Sequence, residues 1–355
     1  MTGIHDNPCH LWFTDSKGHL QPWRNRQKLA ERAWTFQEHL LVTRMIHFAD
    51  TEIIWECGES LRCDCMALDY EKPEDHKASY RQALISQSSV KFDLWSSIVD
   101  TVTQRKITYG TDVLPALSGI ANELQAAGAG PYLAGVWLED FPICLLWDTQ
   151  PWRSWYGYGI FYSDDCQRHV SPFIAPSWSW ASLKNNAGPY REKRTWSLSE
   201  IDMSYSSLIS AACSPSGKDP FGPVSDGYLE VAAPLLEVQC SKVENRRAQL
   251  GVRYPTSRYP LLRPILASLD QEGITTFKTG FFQRNQKLFC LFLVKHKKGL
   301  TNDLIPLLSG LVLFPKKGAT KSAFERIGVF YQYSIGAPFF DEVPLEAVDS
   351  VVRII

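Results

Sequence analysis

The chain has 355 residues, 45% hydrophobic and 21% charged, with a formal net charge of -1, the composition of a globular protein with room for about two domains. No basic run exceeds Lys295-His296-Lys297-Lys298, so the electrostatic footprint of a nucleic-acid binder is missing. The start, MTGIHDNPCHLWF, lacks a basic stretch followed by an apolar one, and the most apolar window, LIPLLSGLVLF at 304–314, is too short to span a bilayer. A cytoplasmic protein without a membrane span is expected.

Taken in chain order, the first half reads as helices over 25–42, 78–104 and 112–126. Leu29, Ala33, Phe36 and Leu40 recur at helical spacing in the first, with Trp34, Glu38 and Leu41 in a second stripe beside them. Leu94, Trp95, Ile98, Val99 and Val102 mark the second helix, and Leu114, Leu117, Ala121 and Leu124 the third. Thr111 is a candidate N-cap, Pro115 suits a first turn, and the AGAGP run at 127–131 ends the helix. Between and after them, MIHF (45–48), EIIWEC (52–57), YLAGVW (132–137), CLLW (144–147) and SWSWAS (177–182) have strand-like length and composition.

All but Trp196 of the twelve tryptophans lie at or before Trp180, so the chain changes character near residue 200. SPSGKDPFGPVSDG at 214–227 has the composition of a loop or boundary. Beyond it, YLEVAAPLLEVQC, KLFCLFLVKH, LLSGLVLFP and RIGVFYQYSI read as strands. The expected organisation is α+β: a Trp-rich helix and strand region over 1–213, a boundary over 214–227, and a mainly antiparallel β region over 228–355 packed against the first as a layer.

Motifs for cofactors are missing: there is no G-x-S-x-G, no P-loop and no G-x-G-x-x-G opening a helix after a strand. Nine cysteines, odd in number and scattered, suggest thiols of a reducing compartment. Cys57, Cys63 and Cys65, with Asp64 and His47 nearby, form a C-x5-C-x-C cluster that departs from the paired spacing of zinc sites, so no metal is expected. His39 reads as a solvated or core histidine.

Two constellations remain. Arg32, Gln37 and Glu38 are polar groups on an amphipathic helix that either brace their neighbours or line a pocket as catalytic groups. Trp34, Trp55, Tyr132, Trp137, Trp155, Trp178 and Trp180 are aromatic residues that form either core or the wall of an apolar pocket. On a strand, Trp178 and Trp180 would point to one face. The loop-like QPWRSWYGYGIFY around Trp155 suits a lid or rim.

RAWTFQEHLL followed by Arg44 and Phe48, Trp55-Glu56-Cys57, RKITYGTDVLPALSGIA at 105–121, YLAGVW, LLW at 145–147, APSWSWAS at 175–182 and ERIGVF at 325–330 occur in an order that resembles the fungal heterokaryon-incompatibility (HET) domain proteins. The resemblance implies a TIR-like α/β effector domain with cell-death or NAD-cleaving activity. Blocks like YVALSYVWG and LWIDALCIDQ, which open that domain in the family, are absent here, so the chain is expected to be a remnant that begins at the third block. Two functions follow as expectations. One is a cofactor-independent enzyme of fungal secondary metabolism, a cyclase of Diels–Alderase type acting on an apolar polyunsaturated small molecule. The alternative is an incompatibility effector or a non-catalytic interaction protein.

Overall fold

The structure, a computed structural model, describes residues 28–48, 53–57, 60–63, 69–71, 76–85, 91–148, 172–183, 201–244, 247–251, 265–269, 287–297, 308–316, 323–332 and 342–355. The fold is α+β: among the described residues, four α-helices and a small sheet precede a large, mostly antiparallel sheet.

Helix α1 spans Ala33–Leu41 and buries Ala33, Phe36 and Leu40. It starts later than the periodicity predicts, because Arg32 is extended and bridges Lys106. Lys106 N–H donates to the Glu31 carbonyl at 2.6 Å and Ala33 N–H to the Lys106 carbonyl at 3.1 Å, so the backbone before α1 is held by a neighbouring segment. Lys28–Glu31 forms a separate 3₁₀ turn, and Leu29, counted in the apolar stripe, is exposed. The helix expected over 78–104 is two, α2 (His76–Ile85) and α3 (Lys91–Thr103). Helix α4 spans Pro115–Ala126 with Pro115 in its first turn; Thr111, the expected cap, sits in a 3₁₀ turn over Gly110–Asp112.

Strands β1 (Arg44–Phe48), β2 (Ile53–Cys57), β3 (Ser60–Cys63) and β4 (Asp69–Glu71) form an antiparallel sheet in that order. β5 (Tyr132–Leu133) and β6 (Val136–Trp137) form a hairpin whose turn residues, Ala134 and Gly135, both have positive φ, as tight two-residue hairpin turns require. Two expected strands are not strands. Ile143–Leu145, overlapping the start of CLLW, and Trp180–Ser182, within SWSWAS, are 3₁₀ turns. Side chains satisfy the backbone there in place of a ladder. Trp147 Nε1 donates to the Trp178 carbonyl at 2.9 Å, and Ser179 Oγ donates to the Ala134 carbonyl at 2.5 Å while accepting from Ala181 N–H.

The second half holds β7 (Ile201–Ser204), β8 (Ser207–Pro215), β9 (Val224–Glu244), β10 (Arg247–Gly251), β11 (Ile265–Leu269), β12 (Leu288–His296), β13 (Leu308–Pro315), β14 (Ala323–Gln332) and β15 (Val348–Ile354). Their pairings close a ring. The second part of β9 pairs with β10 and β12, β10 with β11, β11 with β14, β14 with β13 and β13 with β12, all antiparallel. This is a six-stranded barrel filled by Val238, Leu250, Leu269, Cys290, Phe292, Val312 and Phe330 among others, with Phe292 and Phe330 edge to face at 5.0 Å. The first part of β9 leaves the barrel to pair with β8 and β15. The 214–227 stretch is therefore the turn and flanks of the β8–β9 hairpin.

Residues alternate along β12 to β14. Those not inside the barrel, including Leu291, Leu293, Leu311, Leu313 and Val329, pack with the helices and tryptophans in one shared core. Strands covered on both faces lack polar alternation, which is why these segments read as continuous apolar runs. The halves are also pinned by polar contacts. Arg326, fully buried on β14, stacks its guanidinium over the Trp147 ring at 3.1 Å and donates to the Trp147 carbonyl. Ser177 Oγ accepts from Arg326 N–H and donates to the Ile355 carbonyl. No helix among the described residues is long and apolar enough to cross a membrane.

Candidate functional site

A cleft opens where α3, the β5–β6 hairpin and the turns at 138–147 and 180–182 meet. Trp95, Trp137, Trp147 and Trp180 wall it, with Asp140, Asp100 and Cys144 at its edges, and its volume is about 40 Å³. That is space for a water molecule or a small polar group. The wall is rigid by construction: Trp95 and Trp180 both donate their indole N–H to the Gly135 carbonyl, at 2.9 and 2.7 Å. Gly135 must lack a side chain, since a Cβ there would lie 2.7 Å from Trp180 Nε1 and its φ is +95°. Trp95 also meets Trp137 and Tyr132 edge to face, at 5.6 and 5.8 Å.

Two groups at this cleft can donate. The carboxyl of Asp140 is pushed up to about 7, first by burial and then by the charges of Glu139 and Asp93, so near neutral pH a large fraction carries its proton and can donate. The buried indole N–H of Trp137 has no partner among the described residues. A buried donor without an acceptor is costly, and with a half-buried acid beside it the cleft suits a ligand that brings an acceptor. Cys144 lies beside them in a buried position.

The sequence-picked residues divide. Trp137 and Trp180 line the cleft, and Tyr132 is buried behind it. Trp178 is fully buried, its carbonyl accepting from Trp147, so it is core rather than wall. Trp34 is partly buried with its indole N–H on Asp112 Oδ2 at 3.3 Å, and Trp55 is exposed on the outer face of β2. Trp155 and the QPWRSWYGYGIFY stretch lie outside the described residues. Arg32, Gln37 and Glu38 do not join the cleft among the described residues. Arg32 and Glu38 are exposed, and Gln37 Oε1 accepts from Gly119 N–H at 2.8 Å, bracing α1 against α4. Two carboxylates close to α1 in the fold are engaged by other groups: Asp112 by Trp34, Glu56 by two histidines.

That last group was not visible in sequence. Glu56, fully buried on β2, accepts at Oε1 from His39 Nε2 of α1 and at Oε2 from His47 Nε2 of β1, both at 2.7 Å. The three donor atoms are the described residues' one grouping close enough to hold a metal ion. The cysteines of the C-x5-C-x-C stretch are parted by the pleat: Cys57 shares the outer face with Ile53 and Trp55, whereas Cys63 is buried with Ile54 and Leu61 on the inner face. Cys65 lies outside the described residues.

Comparison of the chain with known protein families, with curated proteins and with solved structures finds no match in any of the three.

Proposed function

We propose that the chain is an enzyme that seats the carbonyl of an apolar, unsaturated small molecule in the tryptophan-walled cleft and promotes its intramolecular cyclisation, of Diels–Alder type. The reading extends the use expected of a HET-like scaffold recruited to fungal secondary metabolism. One observation carries it: Asp140, whose carboxyl is raised to about 7, and the Trp137 N–H, which has no partner among the described residues, are two donors beside an aromatic wall.

As a diene and an activated alkene close, negative charge grows on the activating carbonyl oxygen, and fixed donors stabilise that charge. Two π bonds become two σ bonds. No proton is transferred, and no co-reactant is consumed. Holding the ends of the chain in register supplies up to about 7–11 kcal/mol in favourable cases. A cavity of about 40 Å³ admits the carbonyl, so the hydrocarbon part extends past its mouth over the indole faces.

The test is the rate of cyclisation of a linear dienyl enone with purified protein. Wild type accelerates the reaction, and the rate falls as pH rises through about 7 with ionisation of Asp140. Asp140→Asn keeps an N–H donor and flattens the profile, while Asp140→Ala loses roughly tenfold or more, the usual scale for one oxyanion-type donor being about 100-fold. Equal rates for wild type, Asp140→Ala and buffer would refute the reading.

A second reading, a non-catalytic interaction protein or incompatibility effector, is favoured by the outer face of the small sheet. Phe48 faces Ile53 and Ile46 faces Trp55 across β1 and β2, and all four are exposed. An exposed cluster of this kind is typical of contact surfaces. NAD cleavage by the purified chain, or toxicity on expression, together with no cyclisation, would favour it over the enzyme.

A further inference from the structure

We propose that His39, His47 and Glu56 form a binding site for one divalent transition-metal ion of zinc type. The three ligands come from three elements, α1, β1 and β2, which converge on one point. Glu56 alternates inward with Ile54 on β2, and His47 on β1 lies opposite Ile54, so both project beneath the sheet toward α1. His39 reaches them from the last turn of that helix.

The donor chemistry fits. Two imidazole nitrogens and one carboxylate oxygen are a common set for zinc with a free fourth position, and for ferrous ions with several. Metal–ligand bonds of about 2.0–2.2 Å put tetrahedral ligands roughly 3.3 Å apart. The two N–O separations are 2.7 Å, and all donor atoms lie within 4.8 Å of one another, so side-chain torsion suffices to admit an ion. The His39 and His47 rings are tilted at 46° rather than stacked, which lets both Nε2 atoms face the same carboxylate. Exposure differs across the group in a useful way: Glu56 is sealed, while the His39 and His47 side chains remain 19% and 12% exposed. An ion can enter from the histidine side.

The location also gives the ion a structural task. Among the described residues, the apolar cluster beneath the four-stranded sheet consists of Ile54, Leu61 and Cys63 alone, little for a sheet that needs a packed face to be stable. A metal shared by α1, β1 and β2 joins that sheet to the helix by coordination. The site does not depend on the cyclase reading and shares no residue with the tryptophan cleft.

The experiment uses the full chain, treated with chelator, dialysed and titrated with cobalt(II) and then zinc. One equivalent of cobalt should produce visible d–d bands, which one equivalent of zinc abolishes, and zinc should raise the melting temperature by several degrees. His39→Ala, His47→Ala and Glu56→Gln should each weaken binding at least tenfold, whereas Cys57→Ser and Cys63→Ser leave it unchanged. Should the histidine variants fail to fold, the wild-type cobalt spectrum decides: nitrogen and oxygen ligation supports the site, and a thiolate charge-transfer band overturns it. Absence of stoichiometric binding to the folded wild-type chain, or wild-type affinity in His39→Ala and His47→Ala, also overturns it. Loss of cyclisation with metal binding intact, or the reverse, separates the fate of this site from that of the cleft.

Discussion

Trp95 and Trp180, eighty-five positions apart, donate their indole protons to the same acceptor, the Gly135 carbonyl oxygen, at 2.9 and 2.7 Å. One oxygen thereby fixes two walls of the cleft. Its two lone pairs are used, and either donor alone still satisfies it.

That sharing makes the two tryptophans non-additive. Trp95→Phe and Trp180→Phe should each cost about 1–3 kcal/mol through lost packing area and residual cavity. The double variant leaves a buried carbonyl without a donor, so it should cost about 1 kcal/mol more than the sum. Urea unfolding of the four proteins measures the coupling, and strict additivity would show that the shared acceptor is irrelevant.

Asp140 should make stability depend on pH. Its carboxyl is raised from 3.8 to about 7 by burial and neighbouring acids, so between those values the folded chain holds a proton that the unfolded chain has lost. Stability then falls as pH rises from about 4 to about 7 and levels off above. Each pKa unit corresponds to about 1.4 kcal/mol, and partial exposure reduces the effect. Asp140→Asn should therefore gain about 1–2 kcal/mol at pH 8 and nothing at pH 4. Melting curves across that range check it; a gain independent of pH would contradict the cause given.

The hydroxyl of Tyr132 is buried with no well-formed hydrogen bond among the described residues, the Gly135 backbone approaching it only weakly, and burial drives its ionisation well above the usual tyrosine range. Removing an unpaired buried polar atom while keeping the ring should be neutral or favourable. Tyr132→Phe is expected to raise stability by up to about 1 kcal/mol, read from the denaturant midpoint with an unchanged slope. A loss of 1 kcal/mol or more would reveal an acceptor.

Gly310 tests barrel closure. A Cβ there would collide with the Leu291 carbonyl oxygen on β12 and lie 2.7 Å from the Phe330 ring. The first obstacle is backbone and cannot rotate away. Gly310→Ala should cost more than the roughly 1–3 kcal/mol typical of core overpacking, with unfolding at a markedly lower temperature; a wild-type melting temperature would mean β12 and β13 do not approach this closely.

What sequence could convey follows from how each feature is encoded. The apolar faces of α3 and α4 and the runs in β12, β13 and β14 repeat along the chain, so periodicity finds them. Barrel closure escapes it, because the β11–β14 and β9–β12 pairings are non-local and both barrel faces are apolar. SWSWAS fails as a strand because its backbone is satisfied by Ser179 Oγ and the Trp147 indole rather than by a ladder. Trp137 and Trp180 are legible as aromatic wall by residue type alone. Asp140 is not: only the Glu139-Asp140 pair, one residue past the buried Val136–Trp137 strand, hints at a partly desolvated carboxyl. His39, His47 and Glu56 are spread over three elements, and the available clue was an acid at an inward position of β2.

The clamp joining Arg326 and Ser177 to Trp147 and Ile355 has a kinetic corollary. Its bonds connect residues 149 to 179 positions apart, and Tyr331 reaches Leu146 across 185. Interactions of such sequence separation raise contact order and slow folding. The tryptophan cleft, though built from residues 95 to 180, takes its final shape only when β14 docks behind Trp147. Refolding monitored by tryptophan fluorescence should thus report barrel assembly, despite the absence of any tryptophan in the barrel itself.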